Sequence, residues 1–370
     1  MGKDILLIND RLHAGGAEQM LQLVSAALAK RGDRLTIWAY ESDRETLRRR
    51  YPAGLRCRRL PFWDGVSRRF TPKWFFQRAC RVLFEGFLLR LKKWDTVIAF
   101  KEGPSMRLAA KLRAEQKLAW VHTDFCSMHW SKADFHSDEE ERRCMQSFDN
   151  VICVSNTGAN GIIHTIGDPG NLLVRYNPLD AKAISAASEV TPEDCKPTAG
   201  KPLFVSVGRL SEVKRYGMLM DVCKKLEDEF DFEMWIIGGG ELEAELREKQ
   251  RREDIKSVRL PGRRDNPYPY MRCADWFVSS SASECHPVAI QEAMALGVPV
   301  IAARIAAVEE TVPPAFGIIT ENSPAGLEAG LRRALSHPEL SGQYKAALAR
   351  DFDPAVLWQP RLDAILALIK

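Results

Sequence analysis

The chain has 370 residues, a formal net charge of +4, 45% hydrophobic and 28% charged residues, the balance of a globular enzyme with room for two domains. No run approaches the roughly 18 apolar residues of a membrane span, and the apolar run in MGKDILLIND is too short for a secretory signal, so a cytoplasmic location is expected. Nine scattered cysteines without a C-x-x-C pair exclude a disulfide framework and a zinc ribbon.

The predicted elements alternate from one end to the other. DILLIND (4–10) reads as a strand. The loop HAGGAEQ follows, then a helix to Arg31. RLTIWAY (34–40), LRCRRL (55–60), DTVIAF (95–100), KLAWVH (117–122), NVICVS (150–155) and NLLVRY (171–176) are further strand candidates, with a long helix over about 72–93. The small, polar, proline-containing segment Ala183–Pro202 reads as a linker. The rhythm then restarts with PLFVSVG (202–208), FEMWIIG (232–238), SVRLPG (257–262), DWFVSSS (275–281) and VPVIAA (298–303). Apolar strands alternating with helices predict an α/β protein of two doubly wound, Rossmann-like domains with an interdomain cleft. Ligands of such sheets sit beyond the carboxyl ends of the strands, which directs attention to the residues that follow each strand.

Charge is unevenly spread. From Arg44 to Lys93 fifteen Lys/Arg face three Asp/Glu, an excess of twelve that leaves the remainder at −8. Within it, residues 68–95 interleave Trp74, Phe75, Phe76, Phe84 and Phe87 with Arg78, Arg81, Arg90, Lys92 and Lys93. That pattern serves a helix packed on the sheet with snorkelling cations, or one resting in an anionic membrane interface. No nucleic-acid module accompanies it, so a nucleic-acid partner is not expected.

Four stretches carry chemistry. In HAGGAEQ, Gly15 and Gly16 let backbone N–H groups approach a ligand before a helix; the stretch is neither G-x-G-x-x-G nor a Walker loop. In VGRLSEVKRYG, Arg209 and Lys214 supply a planar fork and a point charge suited to a diphosphate. In IIGGGELEAEL, Gly238, Gly239 and Gly240 lie between a strand and a helix. In SECHPVAIQE, Glu284 and Glu292 suggest either acid–base chemistry or, with Cys285 and His286, a metal. Pro287 decides between them. It suits a helix start, followed by the apolar stripe Ala289, Ile290, Ala293, Met294 and Leu296 and a stop at Gly297. One acid is then on a loop and the other inside a helix. Even a continuous helix would hold them roughly 12 Å apart, against roughly 5–5.5 Å for a retaining glycosidase pair. Consecutive Glu-Cys-His side chains diverge and make a poor metal set. Two separate grips on one long ligand fit better: a hydroxyl-rich molecule with a diphosphate, a nucleotide sugar.

SASECHPVAIQEAMALGVPVIAA resembles the E-x-seven-E donor motif of the retaining GT-B glycosyltransferases, in particular glycosyltransferase family four. VGRLSEVKRYG resembles that family's phosphate-binding segment, IIGGGELEAEL its glycine-rich loop and HAGGAEQ its N-terminal Gly-Gly loop. WVHTD, with His122 after a strand, resembles its first-domain histidine. The resemblance implies a GT-B fold with domains 1–180 and 181–354, and a C-terminal helix, 355–370, crossing back to the first. It implies that Arg209 and Lys214 neutralise the diphosphate, Glu284 contacts the transferred sugar and Glu292 the ribose. It implies too that His122 bonds the donor sugar, and that Gly15, Gly16, Gly238–Gly240 and the Cys285, His286, Pro287, Val288 turn line the donor site. Where the family often has Gly and an aromatic residue, this chain has Cys285 and His286.

The expected activity is retaining, metal-independent sugar transfer, with no cofactor and a UDP-sugar as the favoured donor. The acceptor is a glycan or a lipid-linked molecule of cell-envelope or exopolysaccharide synthesis, reached at the inner face of the plasma membrane. The alternatives are a nucleotide-sugar epimerase of the same fold and a non-catalytic nucleotide-sugar or membrane-binding module.

Overall fold

The first strand shows why the sheets form as they do. Ile5, Leu6, Leu7 and Ile8 are all fully buried, so both faces of the strand are covered and its sequence is apolar without alternation. The computed structural model describes residues 2–12, 16–41, 51, 55–59, 92–190 and 196–370. Among these residues two parallel sheets form. The first contains β1 (Asp4–Arg11), β2 (Arg34–Glu41), β3 (Arg56–Arg59), β4 (Trp94–Ala99), β5 (Ala114–Val121), β6 (Asn150–Cys153) and β7 (Leu172–Val174), in the order β3-β2-β1-β4-β5-β6-β7. The second contains β8 (Leu203–Val207), β9 (Glu233–Ile237), β10 (Val258–Gly262), β11 (Trp276–Ser279), β12 (Val300–Ala303) and β13 (Gly317–Thr320), in the order β10-β9-β8-β11-β12-β13. Every described pairing is parallel. Each order reverses once, between β1 and β4 and between β8 and β11.

The chain divides into two units, Met1–Asn177 with Pro360–Lys370, and Pro178–Gln359. The division falls three residues before the expected 180/181 boundary, and 355–359 stay with the second unit. The cause is local: Leu179 N donates to Leu357 O at 2.8 Å, and Leu179, Ile184 and Leu357 share a small apolar cluster.

Several expectations are corrected. The segment from Ala183 is not all linker: Ala181–Ala187 is helical, with the Asp180 side chain accepting from Ala183 N at 3.0 Å, an N-cap on a run of good helix formers. β13 was not expected, because GIIT is short and begins with glycine. That glycine is required, since a Cβ at Gly317 would lie 2.3 Å from Val300 O on the neighbouring strand. The C-terminal helix expected over 355–370 is shorter: Pro354–Leu357 is a 3-10 turn, and Pro360 occupies the first turn of Gln359–Leu366, where its missing N–H costs nothing. The predicted helix at 72–93 lies almost wholly outside the described residues. Its final residues, Lys92 and Lys93, precede β4 without helical structure and pair with Asp4 (2.9 Å) and Glu115 (3.0 Å). Among the described residues no helix is long and apolar enough to cross a membrane.

Candidate functional site

The switch point of the second unit gathers the predicted donor residues. Beyond β8 the chain makes a 3-10 turn, Glu212–Lys214, ended by Arg215 in the left-handed conformation (φ 51°). Beyond β11 the chain is laced to that turn. Ala282 N donates to Val213 O at 2.7 Å, and Ser280 Oγ to Lys214 O at 2.7 Å. The lacing brings Lys214 Nζ onto Glu284 Oε1, which also accepts from Ser281 Oγ at 2.8 Å. Burial alone would pull the Lys214 ammonium down, but the Glu284 carboxylate and Tyr216 together outweigh it and the net shift is upward. The two residues predicted to grip different parts of a ligand therefore grip each other. Arg209 is exposed and near enough to oppose the charge of Lys214, so this loop presents two cations.

Two of the three glycines answer to the chain itself. Leu210 N donates to Gly239 O at 3.0 Å and Gly208 N to Ile237 O at 3.0 Å. A Cβ at Gly238 would stand 1.8 Å from Gly208 O, and one at Gly240 2.4 Å from Leu210 O. Gly238 and Gly240 are glycines because the backbone of 208–210 lies against them. At Gly239 the nearest atom to a Cβ would be Arg263 Cβ, at 3.4 Å.

Pro287 precedes the helix Val288–Ala295, which ends at Leu296 with Gly297 at φ 74°. Glu284 is on the loop and Glu292 inside the helix, as the proline predicts. Glu292 is 9% exposed and accepts from Tyr268 Oη at 3.0 Å. Burial raises its carboxyl to about 7, with the tyrosine hydroxyl opposing the shift. The Cys-His pair turns inward: Cys285 is buried, and His286 Nε2 lies 2.6 Å from Gln291 Nε2 on the next turn. Sequence reasoning missed Tyr268, since NPYPYM has neither a period nor a strand end to mark it. It missed Ser281 as well, although that serine is the last residue of a predicted strand.

In the first unit, Gly15 lies outside the described residues. Gly16 opens the helix Gly16–Arg31, is exposed, and has no described atom within 4 Å of a notional Cβ. His122 follows β5. Its backbone N donates to Glu102 Oε2 at 3.1 Å, and its ring stacks on Phe100 with centroids 6.2 Å apart. Its Nε2 is buried without a hydrogen-bond partner among the described residues. Burial lowers its pKa to about 4 against the opposing pull of Glu102, so the imidazole is neutral at neutral pH.

Residues 14–183 match the model of Glycosyltransferase Family 4, and residues 201–337 that of Glycosyl transferases group 1. The chain belongs to this glycosyltransferase family. A UDP- and glucose-bound crystal structure of HepE from Anabaena superposes on this family member with TM-score 0.73 and 18% identity, covering 99% of this chain and 100% of that one. The sucrose-phosphate synthase of Thermosynechococcus elongatus does so with TM-score 0.73 and 16% identity, covering 99% of this chain and 97% of that one. The fold is GT-B. The amylovoran biosynthesis glycosyltransferase AmsK of Erwinia amylovora is 34% identical over 119 residues, 30% of this chain and 29% of that protein. A phosphatidylinositol N-acetylglucosaminyltransferase component of Arabidopsis thaliana is 21% identical over 342 residues, 90% of this chain and 74% of that protein. The stretches shared with three of the curated relatives cover only 25%, 29% and 33% of their lengths.

Proposed function

We propose that this glycosyltransferase moves a sugar, with retention, from a nucleoside-diphosphate sugar to a hydroxyl of a glycan or lipid-linked acceptor. The observation that carries the reading is the Lys214–Glu284 pair at the carboxyl ends of β8 and β11, with Arg209 beside it. A bound diphosphate competes for Lys214 and Arg209, and Glu284 is then freed to accept from hydroxyls of the transferred sugar. Glu292, buried in its helix with Tyr268, accepts from the ribose. His122, neutral, contacts the donor sugar. Transfer breaks the bond from the anomeric carbon to the phosphate oxygen and forms the bond to the acceptor oxygen on the same face. The acceptor proton passes to the leaving phosphate. Fixed cations balance the developing charge, so no bound metal and no cofactor is invoked.

UDP-glucose is the first donor to test, given the UDP and glucose bound to HepE. The names of the amylovoran and phosphatidylinositol relatives favour an exopolysaccharide or a lipid acceptor. A lipid acceptor agrees with a cytoplasmic protein at the inner face of the plasma membrane, its basic segment 68–95 touching anionic lipid rather than nucleic acid. Thermal shift against UDP-, GDP- and ADP-sugars tests the donor, because a ligand of the native state raises stability by RT ln(1 + [L]/Kd). Stabilisation by one class, lost in Lys214→Ala, is expected. No stabilisation by any of them overturns the reading. Conversion of the donor sugar to its epimer without an acceptor would mark an epimerase instead.

A further inference from the structure

Two buried acids of the second unit are treated differently by the chain. Glu233 on β9 is 6% exposed and takes three donors: Arg259 Nη2 at 2.7 Å, Trp235 Nε1 at 3.1 Å and the Thr198 hydroxyl. It is a satisfied structural acid. Glu292 is 9% exposed, and among the described residues its carboxyl has one partner, Tyr268 Oη on Oε1 at 3.0 Å. A carboxylate offers about four acceptor positions. A buried acid with most of them unfilled costs stability and has capacity for further donors.

The one partner is firmly aimed. Tyr268 is half-buried and opens the short helix Tyr268–Arg272. Its backbone N donates to Asn266 Oδ1 at 3.2 Å. Asn266 Nδ2 donates in turn to the carbonyl of Ala187, at 2.7 Å, the last residue of the helix Ala181–Ala187. The tyrosine ring packs on the apolar cluster of Leu179, Ile184 and Leu357, which also receives Val288 and Ala295 from the helix that carries Glu292. Main chain and ring are thus held, and the hydroxyl is delivered to the carboxyl. Burial first, and the charge of Glu292 second, push the ionisation of the phenol upward, so Tyr268 acts toward the acid only as a donor. The elements packed on the Glu292 helix also bring Lys182 and Arg272, but burial and the Tyr268 hydroxyl are what act on the Glu292 carboxyl.

A phenol hydroxyl on a carboxylate oxygen makes the same bond as a ribose hydroxyl on that oxygen. A ribose brings two neighbouring hydroxyls to Glu292, and one of the two oxygens is already taken. The free protein fills this position from within, as it fills Glu284 with Lys214.

We propose that Tyr268 is a positioning residue that holds the place of a ribose hydroxyl on Glu292 in the free protein and yields it when the nucleotide binds, so that it sets how strongly the ribose is read. This rests on the assignment of Glu292 to the ribose.

The test is calorimetric binding of UDP and of 2′,3′-dideoxy-UDP, which lacks both ribose hydroxyls, to the full chain at pH 9, above the Glu292 value of about 7. Wild type is expected to bind UDP at least about tenfold more tightly than dideoxy-UDP, the scale of a charge-assisted hydrogen bond. Tyr268→Phe removes the competitor. Its UDP affinity should rise about tenfold while its dideoxy-UDP affinity stays at the wild-type value. The ratio of the two affinities is a readout that a loosened fold alone does not raise. Asn266→Ala releases the Tyr268 backbone and leaves the hydroxyl in place, so it should raise the ratio by a smaller factor. An unchanged or lower ratio in folded Tyr268→Phe overturns the proposal, as does an unchanged ratio in Asn266→Ala should the tyrosine variant not fold. Equal binding of the two nucleotides by wild type instead removes the ribose from Glu292. Binding of neither sinks the UDP-sugar reading, and the role of Tyr268 with it.

Discussion

Lys214 and Glu284 neutralise each other in the free second unit, and both stand where the diphosphate and the sugar of a donor are expected. The pair keeps a largely buried ammonium satisfied and gives the site a latched resting state. Opening it by mutation should separate two quantities that usually move together.

In Glu284→Gln, Lys214 loses its internal competitor. UDP, which has no sugar to miss the carboxylate, should bind more tightly than to wild type, while turnover of the UDP-sugar falls by about 10²–10³-fold. Calorimetry with UDP alongside steady-state kinetics reads both. Weaker UDP binding in this variant would show that the carboxylate supports the diphosphate rather than competing with it.

Lys214→Met should lower kcat/KM by a similar order, about 10²–10³, and abolish stabilisation by UDP. It also leaves Glu284 with the Ser281 hydroxyl but without its cation, so the melting temperature of the free protein should fall as well. A variant that retains UDP-induced stabilisation would place the diphosphate elsewhere.

Glu292 predicts an alkaline signature. Its carboxyl is raised from 4.5 to about 7, so the folded state holds a proton that the unfolded chain releases. The stability this contributes is complete below pH 4.5 and is lost as pH rises through 7. Glu292→Gln can still accept from Tyr268 and carries no charge. It should therefore be more stable than wild type at pH 8, by about 3 kcal/mol at most, and equal to it near pH 4. Its UDP affinity should drop. Urea melts across pH measure the crossover; parallel curves for the two proteins would refute the assignment.

His122 predicts the opposite sign. Its pKa falls from 6.5 to about 4 on burial, so the unfolded chain takes up a proton that the fold refuses. The associated stability is full above pH 6.5 and is lost as pH falls toward 4, up to about 3 kcal/mol. His122→Asn should blunt acid unfolding in that window while lowering transfer. Unchanged acid sensitivity would mean the ring is not sequestered in solution.

Gly238→Ala and Gly240→Ala drive a methyl into the 208–210 backbone and should cost about 1–3 kcal/mol or more. Gly239→Ala, with 3.4 Å of clearance, should be near neutral for stability. Equal melting temperatures for all three would contradict the close approach.

Much of the architecture could be read from local pattern. Apolar runs such as DILLIND and FVSV mark doubly covered strands, and Pro287 with Gly297 brackets the helix that separates Glu284 from Glu292. What escaped depends on contacts distant in sequence. GIIT becomes a strand because Val300 lies beside it. Tyr268 meets Glu292 from a segment with no periodic signal. The embrace of Lys214 and Glu284 needs two loops seventy residues apart to be laced together. Gly238–Gly240 were legible as a loop lining a donor site, but not, at Gly238 and Gly240, as room for the 208–210 backbone.

The tail of the chain sets an order of events. Thr96 Oγ1 donates to Lys370 O at 3.0 Å, Gln116 Nε2 to Leu368 O at 2.7 Å and Arg31 Nη1 to Ile369 O at 2.9 Å. Residues 360–370 belong to the first unit but are translated after the whole of the second. On the ribosome the unit that starts first is finished last. Its β4–β5 region must wait, exposed, until those eleven residues emerge, which makes the interval of synthesis between them the period of greatest risk of misassembly.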